Sequence, residues 1–280
     1  CPMKIYNTTA GILVEHDGAC RLDATTDWDT LINTDNLHHA LMGHFDALPE
    51  ADAPQQLLSG VQPPPMASQE IWASGVTYLR SKEERQEESK DAGGGDFYQR
   101  VYEAERPELF FKATRLRTVG NRDLVRIRAD STWDVPEPEL ALVLNSRGEI
   151  VGYTIGNDMS SRSIEGENPL YLPQAKTFDG CAALGPCVLV TEGPIAGDTM
   201  IRLVIQRDGR QAYAGEVCID QITRSFESLA GYLFRECSFP AGAVLLTGTG
   251  IVPDSPFTLQ SGDEISISID HIGTLTNTVA

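Results

Sequence analysis

Between residues 45 and 270 the chain has no histidine; its five are His16, His38, His39, His44 and His271. A reaction centred in that long stretch has no imidazole to work with. This argues against Ser-His-Asp and Cys-His nucleophiles and against zinc sites together. Cysteine is sparse too: Cys1, Cys20, Cys181, Cys187, Cys218 and Cys237 are scattered, with no C-x-x-C pair and none at metal spacing from a histidine. Free, mostly buried thiols in a reducing compartment are expected. No stretch approaches 18 apolar residues, and the first residues carry no basic segment followed by an apolar run. The reading is a soluble, cytoplasmic protein. Positive charge is scarce as well, with 22 Lys and Arg against 40 Asp and Glu, a net of −18. Such a surface repels phosphate backbones and anionic membranes, so neither nucleic acid nor membrane is expected as a partner. An anionic small molecule remains possible where a metal ion or a Lys/Arg cluster locally reverses the field.

What is present suits a folded chain. With 280 residues, 41% of them hydrophobic, it can build a large core. The length fits one large domain, or a small one beside a larger one. Residues 1–65 read as a small N-terminal α+β domain. Lys4–Tyr6 and Gly11–Val14 look like strands with a turn at Asp17-Gly18, and Trp28 to Leu48 looks helical. Asp52 to Pro65 ends in three prolines and reads as a stiff linker. Residues 66–280 read as a catalytic domain. Its highly charged segment around 79–106, with Gly93-Gly94-Gly95 inside, reads as a helical lid or as a solvated helical hairpin. Beyond it, short β-branched runs at 109–111, 140–144, 150–155, 187–190, 201–205, 244–246 and 265–269 predict strands, several closed by Gly turns. One helix is expected over 222–236. The class is α+β, mostly β, with a mixed or rolled sheet.

Carboxylates carry the chemistry. In Val135-Pro-Glu137-Pro-Glu139-Leu140 the two acids are two apart, so on an extended backbone they project to one face. Like charges side by side are unfavourable without a cation between them. The flanking prolines argue against regular interior pairing at Glu137. About twenty residues on, Asp158 ends another strand. Three carboxylates with no soft ligand describe a hard oxygen site, suited to Mg²⁺, with Mn²⁺ or Ca²⁺ as substitutes, rather than Zn²⁺. A solvated strand edge is the plain alternative.

Four ordered motifs add to this. Glu137-Pro-Glu139, Gly152-Tyr-Thr-Ile-Gly-Asn-Asp158-Met-Ser-Ser-Arg162, Leu172-Pro-Gln174-Ala-Lys176-Thr-Phe-Asp-Gly-Cys-Ala-Ala-Leu-Gly-Pro186 and Leu246-Thr-Gly-Thr249-Gly closely resemble the fumarylacetoacetate-hydrolase superfamily, over roughly residues 70–275. The resemblance implies a mixed β-sandwich roll, usually dimeric; a homodimer or homotetramer is expected. It further implies one divalent metal on Glu137, Glu139 and Asp158, with Lys176 beside it acting on substrate. Gln174 and Thr249 match positions that hold the substrate's carboxylate or oxo oxygens.

The chain departs from the family's hydrolases at the lid. Their motif resembles G-x-N-Y-x-x-H-x-x-E, and the matching stretch here is Gly75-Val-Thr-Tyr78-Leu-Arg80-Ser81-Lys82-Glu-Glu84. Ser81 stands where the histidine would, while Glu84 remains. A serine without a partner of suitable pKa is no base at neutral pH. Gly75–Ser81, Leu109–Thr114 and Ser161–Gln174 resemble instead the branch that dehydrates 2-keto-3-deoxy sugar acids. For a substrate such as 2-keto-3-deoxy-D-arabinonate, or the six-carbon 2-keto-3-deoxyfuconate, the resemblance implies 2-oxoglutarate semialdehyde or its analogue as product. A cation beside the C1 carboxylate and C2 oxo oxygen would stabilise negative charge as a C3 proton leaves. Lys176 is the first candidate for the base. Glu108, then Glu84, are candidates for the acid that releases the C4 hydroxyl as water. Arg80, Ser81, Lys82, Lys112 and Arg162 are candidate substrate contacts, though Lys112 and Arg162 fit structural ion pairs equally well. A C–C hydrolase of a diketo acid, a 2-oxo acid decarboxylase on the same metal, and an inactive metal-stabilised scaffold are the rivals. Each enzyme reading predicts loss of activity with chelator.

Overall fold

The computed structural model describes residues 1–79 and 95–280, the side chains of 95–98 excepted. The described strands are β1 (Met3–Thr8), β2 (Gly11–His16), β3 (Ala19–Asp23), β4 (Glu70–Gly75), β5 (Glu108–Ala113), β6 (Thr118–Val119), β7 (Leu124–Val125), β8 (Asp134–Val135) and β9 (Pro138–Leu144). They continue with β10 (Ile150–Asp158), β11 (Ser160–Ser161), β12 (Ala182–Val190), β13 (Met200–Arg207), β14 (Arg210–Cys218), β15 (Ala243–Leu246), β16 (Glu264–Ile269) and β17 (Gly273–Val279). The described α-helices are α1 (Trp28–Ile32), α2 (Leu37–His44), α3 (Pro54–Ser59), α4 (Gly95–Glu103), α5 (Arg162–Glu167), α6 (Leu172–Lys176) and α7 (Phe226–Leu233).

The chain is mostly β, built on two mixed sheets. The larger runs β3-β2-β1-β12-β10-β9-β15-β4-β5, with β6 also on β12; the smaller runs β14-β13-β16-β17-β7. Side-chain alternation explains how they stack. Every residue of β9 is buried, so that strand is covered on both faces. Leu140, Leu142 and Leu144 face a core shared with Leu203, Ile205, Ile265 and Ile267 of the smaller sheet. Val143 packs on the other side, with Trp28, Leu31, Leu37 and Leu41 of α1 and α2. Ala141 packs there too, with Ile71, Leu184 and Leu246. In β16 the sequence EISISI alternates strictly, isoleucines inward.

The first 65 residues do not form a separate sheet. β1 pairs antiparallel with β12, Ile5 opposite Val188, so β1–β3 lengthen the large sheet. Trp28–Leu48 is two short helices rather than one, broken where Asn36 takes φ 46 after a run of turn-forming residues. The proline-rich linker contains α3, with Pro54 at its start. The helix expected over 222–236 is limited to Phe226–Leu233 by the Ser225 cap, which accepts from Ser228 N–H. Within the expected lid segment, the last turn of α4 is held by Arg224, which donates to the carbonyls of Val101 and Ala104. Residues 80–94 of that segment lie outside the described residues.

Candidate active site

The adjacent ends of β9 and β10 build the site. Glu137 exchanges both backbone hydrogen bonds with Asp158, at 3.2 and 3.0 Å. The expectation that prolines prevent pairing here fails for a simple reason. In an antiparallel ladder a residue's N–H and C=O point to the same side, and successive residues point to opposite sides. Pro136 and Pro138 therefore turn their missing donors away from β10, while Glu137 faces it. Alternation then places Glu137 and Glu139 on one face, with Asp158 across from them. Ligand oxygens of all three lie within 4.8 Å of one another, and all three side chains are buried.

Three cations balance them. Lys176, the last residue of α6, is completely buried. Its ammonium donates to Glu137 Oε2 at 2.7 Å, Asp158 Oδ2 at 2.9 Å and Ser160 Oγ at 2.6 Å, and it lies over the Phe110 ring. Lys112, equally buried, contacts Asp158 Oδ1 at 2.6 Å, donates to Met159 O at 2.8 Å and bonds Lys176 O. Its ammonium is engaged within the protein by these three oxygens, the ion-pair alternative considered from sequence. Arg162 donates to Glu137 Oε1 at 2.7 Å and approaches buried Glu165 at 4.0 Å.

Glu139 accepts Gly248 N–H at 2.6 Å. Gly248 has φ +96, and a Cβ there would fall 2.0 Å from Thr77 Oγ1. Only glycine brings this amide to the carboxylate. Burial, then the charges of Asp158 and Glu137, hold the Glu139 carboxyl well above its usual range, against the pull of Lys176. A cation among the three acids relieves that stress. Three hard oxygens, no thiolate and no imidazole form a donor set for Mg²⁺ or a similar ion.

The cavity over the acids is lined by Ser74, Gly75, Phe110, Arg162 and Thr249. It offers about 10 Å³, the room of a single water or ion. Thr249 Oγ1 is committed to Ile251, bonding both its N–H and its carbonyl. Glu108, the first residue of β5, lies across the rim: its Oε2 is 1.9 Å from where a Cβ on Gly75 would be. It also borders a wider cleft of about 450 Å³ with Arg100, Arg106, Pro169 and Leu172.

The structure thus brings Glu137, Glu139, Asp158, Lys176, Arg162 and Thr249 together, with Glu108 at the rim. Gln174 stands apart, exposed on α6 two residues before Lys176, about 200° around the helix. The bond formed there is by its backbone carbonyl, from Arg128. Arg80, Ser81, Lys82 and Glu84 lie outside the described residues. Ser160 was missed, although it lies two residues beyond Asp158 in extended chain, where the same-face rule points to it. Lys112's partnership with Asp158 had no local signal, being 46 residues away in sequence.

Residues 70–280 match the model of the fumarylacetoacetate hydrolase C-terminal family. The chain belongs to this family. A probable 2-keto-3-deoxyxylonate dehydratase of Haloferax volcanii is 52% identical over 216 residues, covering 77% of this chain and 73% of that protein. The 2-dehydro-3-deoxy-D-arabinonate dehydratase of Saccharolobus solfataricus is 43% identical over 215 residues, 75% of this chain and 72% of that protein. Among solved structures, a 2-keto-3-deoxy-D-arabinonate dehydratase complexed with magnesium and 2,5-dioxopentanoate superposes with TM-score 0.81 at 33% identity, covering 100% of this chain and 98% of that one. These close homologues are named as dehydratases, that is, hydro-lyases. The fold class and the family resemblance of the sequence agree with these matches. No helix among the described residues is long and apolar enough to cross a membrane.

Proposed function

We propose that this family member is a magnesium-dependent hydro-lyase converting 2-keto-3-deoxy-D-arabinonate, or a close analogue, into 2,5-dioxopentanoate and water. The observation that carries the reading is a buried carboxylate triad, two of its acids bonded to Lys176, with no histidine among the described residues beside it. The names given to the two relatives' substrates do not conflict. In the D series, oxidation at C2 and loss of oxygen at C3 leave C4 as the one stereocentre, so the arabinonate and xylonate derivatives are the same molecule.

Charge supports an anionic substrate. Glu137, Glu139, Asp158 and Glu165 face Lys112, Lys176 and Arg162, all buried, which leaves the cluster one positive charge short of neutral. A divalent ion tips it to net positive, the local reversal that a chain of net charge −18 requires. Magnesium held by Glu137, Glu139 and Asp158 would supply positive charge beside the substrate's 1-carboxylate and 2-oxo oxygens. Lys176 is assigned to take a proton from C3 after releasing its own, which a cation on the three acids favours. Glu108 gives a proton to the C4 hydroxyl, which leaves as water, and a C3=C4 double bond forms. Proton shifts from C5 to C3, and from the resulting C5 enol hydroxyl to C4, give the 2,5-dioxo acid. Glu84 is the second candidate for the acid. Arg80, Ser81 and Arg162 are assigned to the substrate's carboxylate and distal hydroxyls. Thr249 is assigned to its oxo end only if its hydroxyl turns from the Ile251 carbonyl, and Gln174 only if its exposed side chain turns inward. The same reading makes the protein a cytoplasmic homodimer or homotetramer, which light scattering on the purified protein checks.

The test incubates the protein with 2-keto-3-deoxy-D-arabinonate, with and without Mg²⁺ and EDTA, coupled to a dehydrogenase that consumes the semialdehyde. Metal-dependent NADH formation, lost in Lys176→Ala, is the expected result. No turnover by folded, metal-loaded protein overturns the pentonate assignment and moves pyruvate release from diketo acids to first place.

A further inference from the structure

One polar group beside the acids has no role in the scheme above. Ser74, in β4 opposite Leu109, is 3% exposed, and its hydroxyl has no hydrogen-bond partner. The other hydroxyls nearby are committed: Ser160 accepts from Lys176, Thr249 bonds Ile251, and Thr77 donates to Thr247 O. A buried hydroxyl without a partner loses its bonds to water and gains nothing. Alanine would sit in the same apolar strand, next to Ala73, without that cost. Stability therefore gives no reason for serine here.

Position gives one. Ser74 lines the same small cavity as Glu137, Glu139, Asp158 and Arg162. The space has room for about one small ion, with Ser74 among the groups that surround it. The three acids would turn a cation toward themselves, leaving an O–H donor suited to an oxygen of negative character on the cation's far side. We propose that Ser74 contacts the substrate, donating its Oγ–H to an oxygen of the 2-oxo acid end, the 1-carboxylate or the 2-oxo oxygen. This rests on the dehydratase reading for the identity of the substrate, but not for the chemistry recognised, which is a planar 2-oxo carboxylate beside a divalent cation. Such a bond also sharpens selectivity, because a ligand lacking the oxygen leaves the hydroxyl buried and unpaired.

The experiment compares wild type with Ser74→Ala in Mg²⁺. It measures Mg²⁺ affinity, thermal midpoint, binding of oxalate as a stable planar dianion by calorimetry, and kcat and KM for the pentonate. Expected for Ser74→Ala are oxalate affinity and kcat/KM lower by about 10- to 100-fold, the size of a hydrogen bond to a charged group. Mg²⁺ affinity stays unchanged, and the thermal midpoint is equal or higher because an unsatisfied hydroxyl has gone. Oxalate affinity within twofold of wild type overturns the proposal. So does a parallel loss of Mg²⁺ affinity, which would assign the hydroxyl to the ion's own water. If wild type binds oxalate but does not dehydrate the pentonate, the functional reading fails. Weakened oxalate binding in Ser74→Ala then still upholds the Ser74 contact.

Discussion

Charge is used in opposite ways at the end of β9–β10 and in the five-stranded sheet. In the sheet, Arg202 meets Asp270 at 2.7 Å with side chains 44% and 35% exposed, while isoleucines alternate inward beneath. Water screens such a pair and it contributes little. At the site, Lys112 and Lys176 are wholly buried against Asp158 and Glu137. There the cost of removing ions from water rivals the attraction gained. The charged cluster is thus not what holds the fold together. It is held in place by the leucines of β9 and by β10, and it is kept for what it binds.

The sharpest way to break this contrast is Lys112→Met. It leaves Asp158 short of a buried partner and frees the backbone of Lys176. The expected cost is about 3–5 kcal/mol of stability, with turnover lost, read by urea unfolding and the coupled assay. Adding Asp158→Asn is expected to recover stability but not activity. In the five-stranded sheet, Ile267→Ala, at a fully buried position, is expected to cost about 2–5 kcal/mol. Its kcat should stay near wild type in the folded protein.

Next in size is the metal. At about a hundredfold excess over its dissociation constant, Mg²⁺ is expected to add about 2.7 kcal/mol, seen as a rise in thermal midpoint that EDTA reverses. The metal-free protein also has a pH signature. Glu139 holds its proton more tightly folded than unfolded, its usual value being 4.5. The folded state therefore binds more protons above that pH. This group's contribution to stability falls as pH rises through 4.5 toward the folded value, and Mg²⁺ removes the slope. A Glu139→Gln variant without metal that keeps the slope would refute that assignment. Smallest is Arg202→Ala, expected to change stability by less than about 1 kcal/mol and activity not at all.

The legibility of the sequence followed the same divide. Two-residue alternation and a strand-ending Asp made the three acids a candidate group beside the plain reading of a solvated strand edge, and the resemblance turned the choice toward a metal site; the alternating isoleucines of β16 were legible locally. Lys176 needed the family resemblance, since α6 is too short to reveal which side faces the acids. Gln174, two residues earlier in the same motif and about 200° around the helix, lies on the exposed side. The pairing of Glu137 was misread because a proline's missing N–H was counted against its neighbour as well as itself. Lys112 was read as a substrate contact or an ion-pair partner, but which groups it meets was not legible: they come from a strand end and a helix end far along the chain. β14, polar and largely exposed along its length, lacked the apolar pattern that marked the inner strands, and β17, rich in threonine, gave only a faint one.

The docking of β1 on β12 has a practical side. Val188, Leu189 and Val190 form an apolar strand end whose outer hydrogen-bonding groups are met there by Met3, Lys4 and Ile5. Excising the family-matched segment on its own would uncover that strand as an open edge, a template for the next chain to join. Expression of residues 66–280 alone is therefore a route to filaments or inclusion bodies, and the first hairpin is a built-in safeguard against self-assembly.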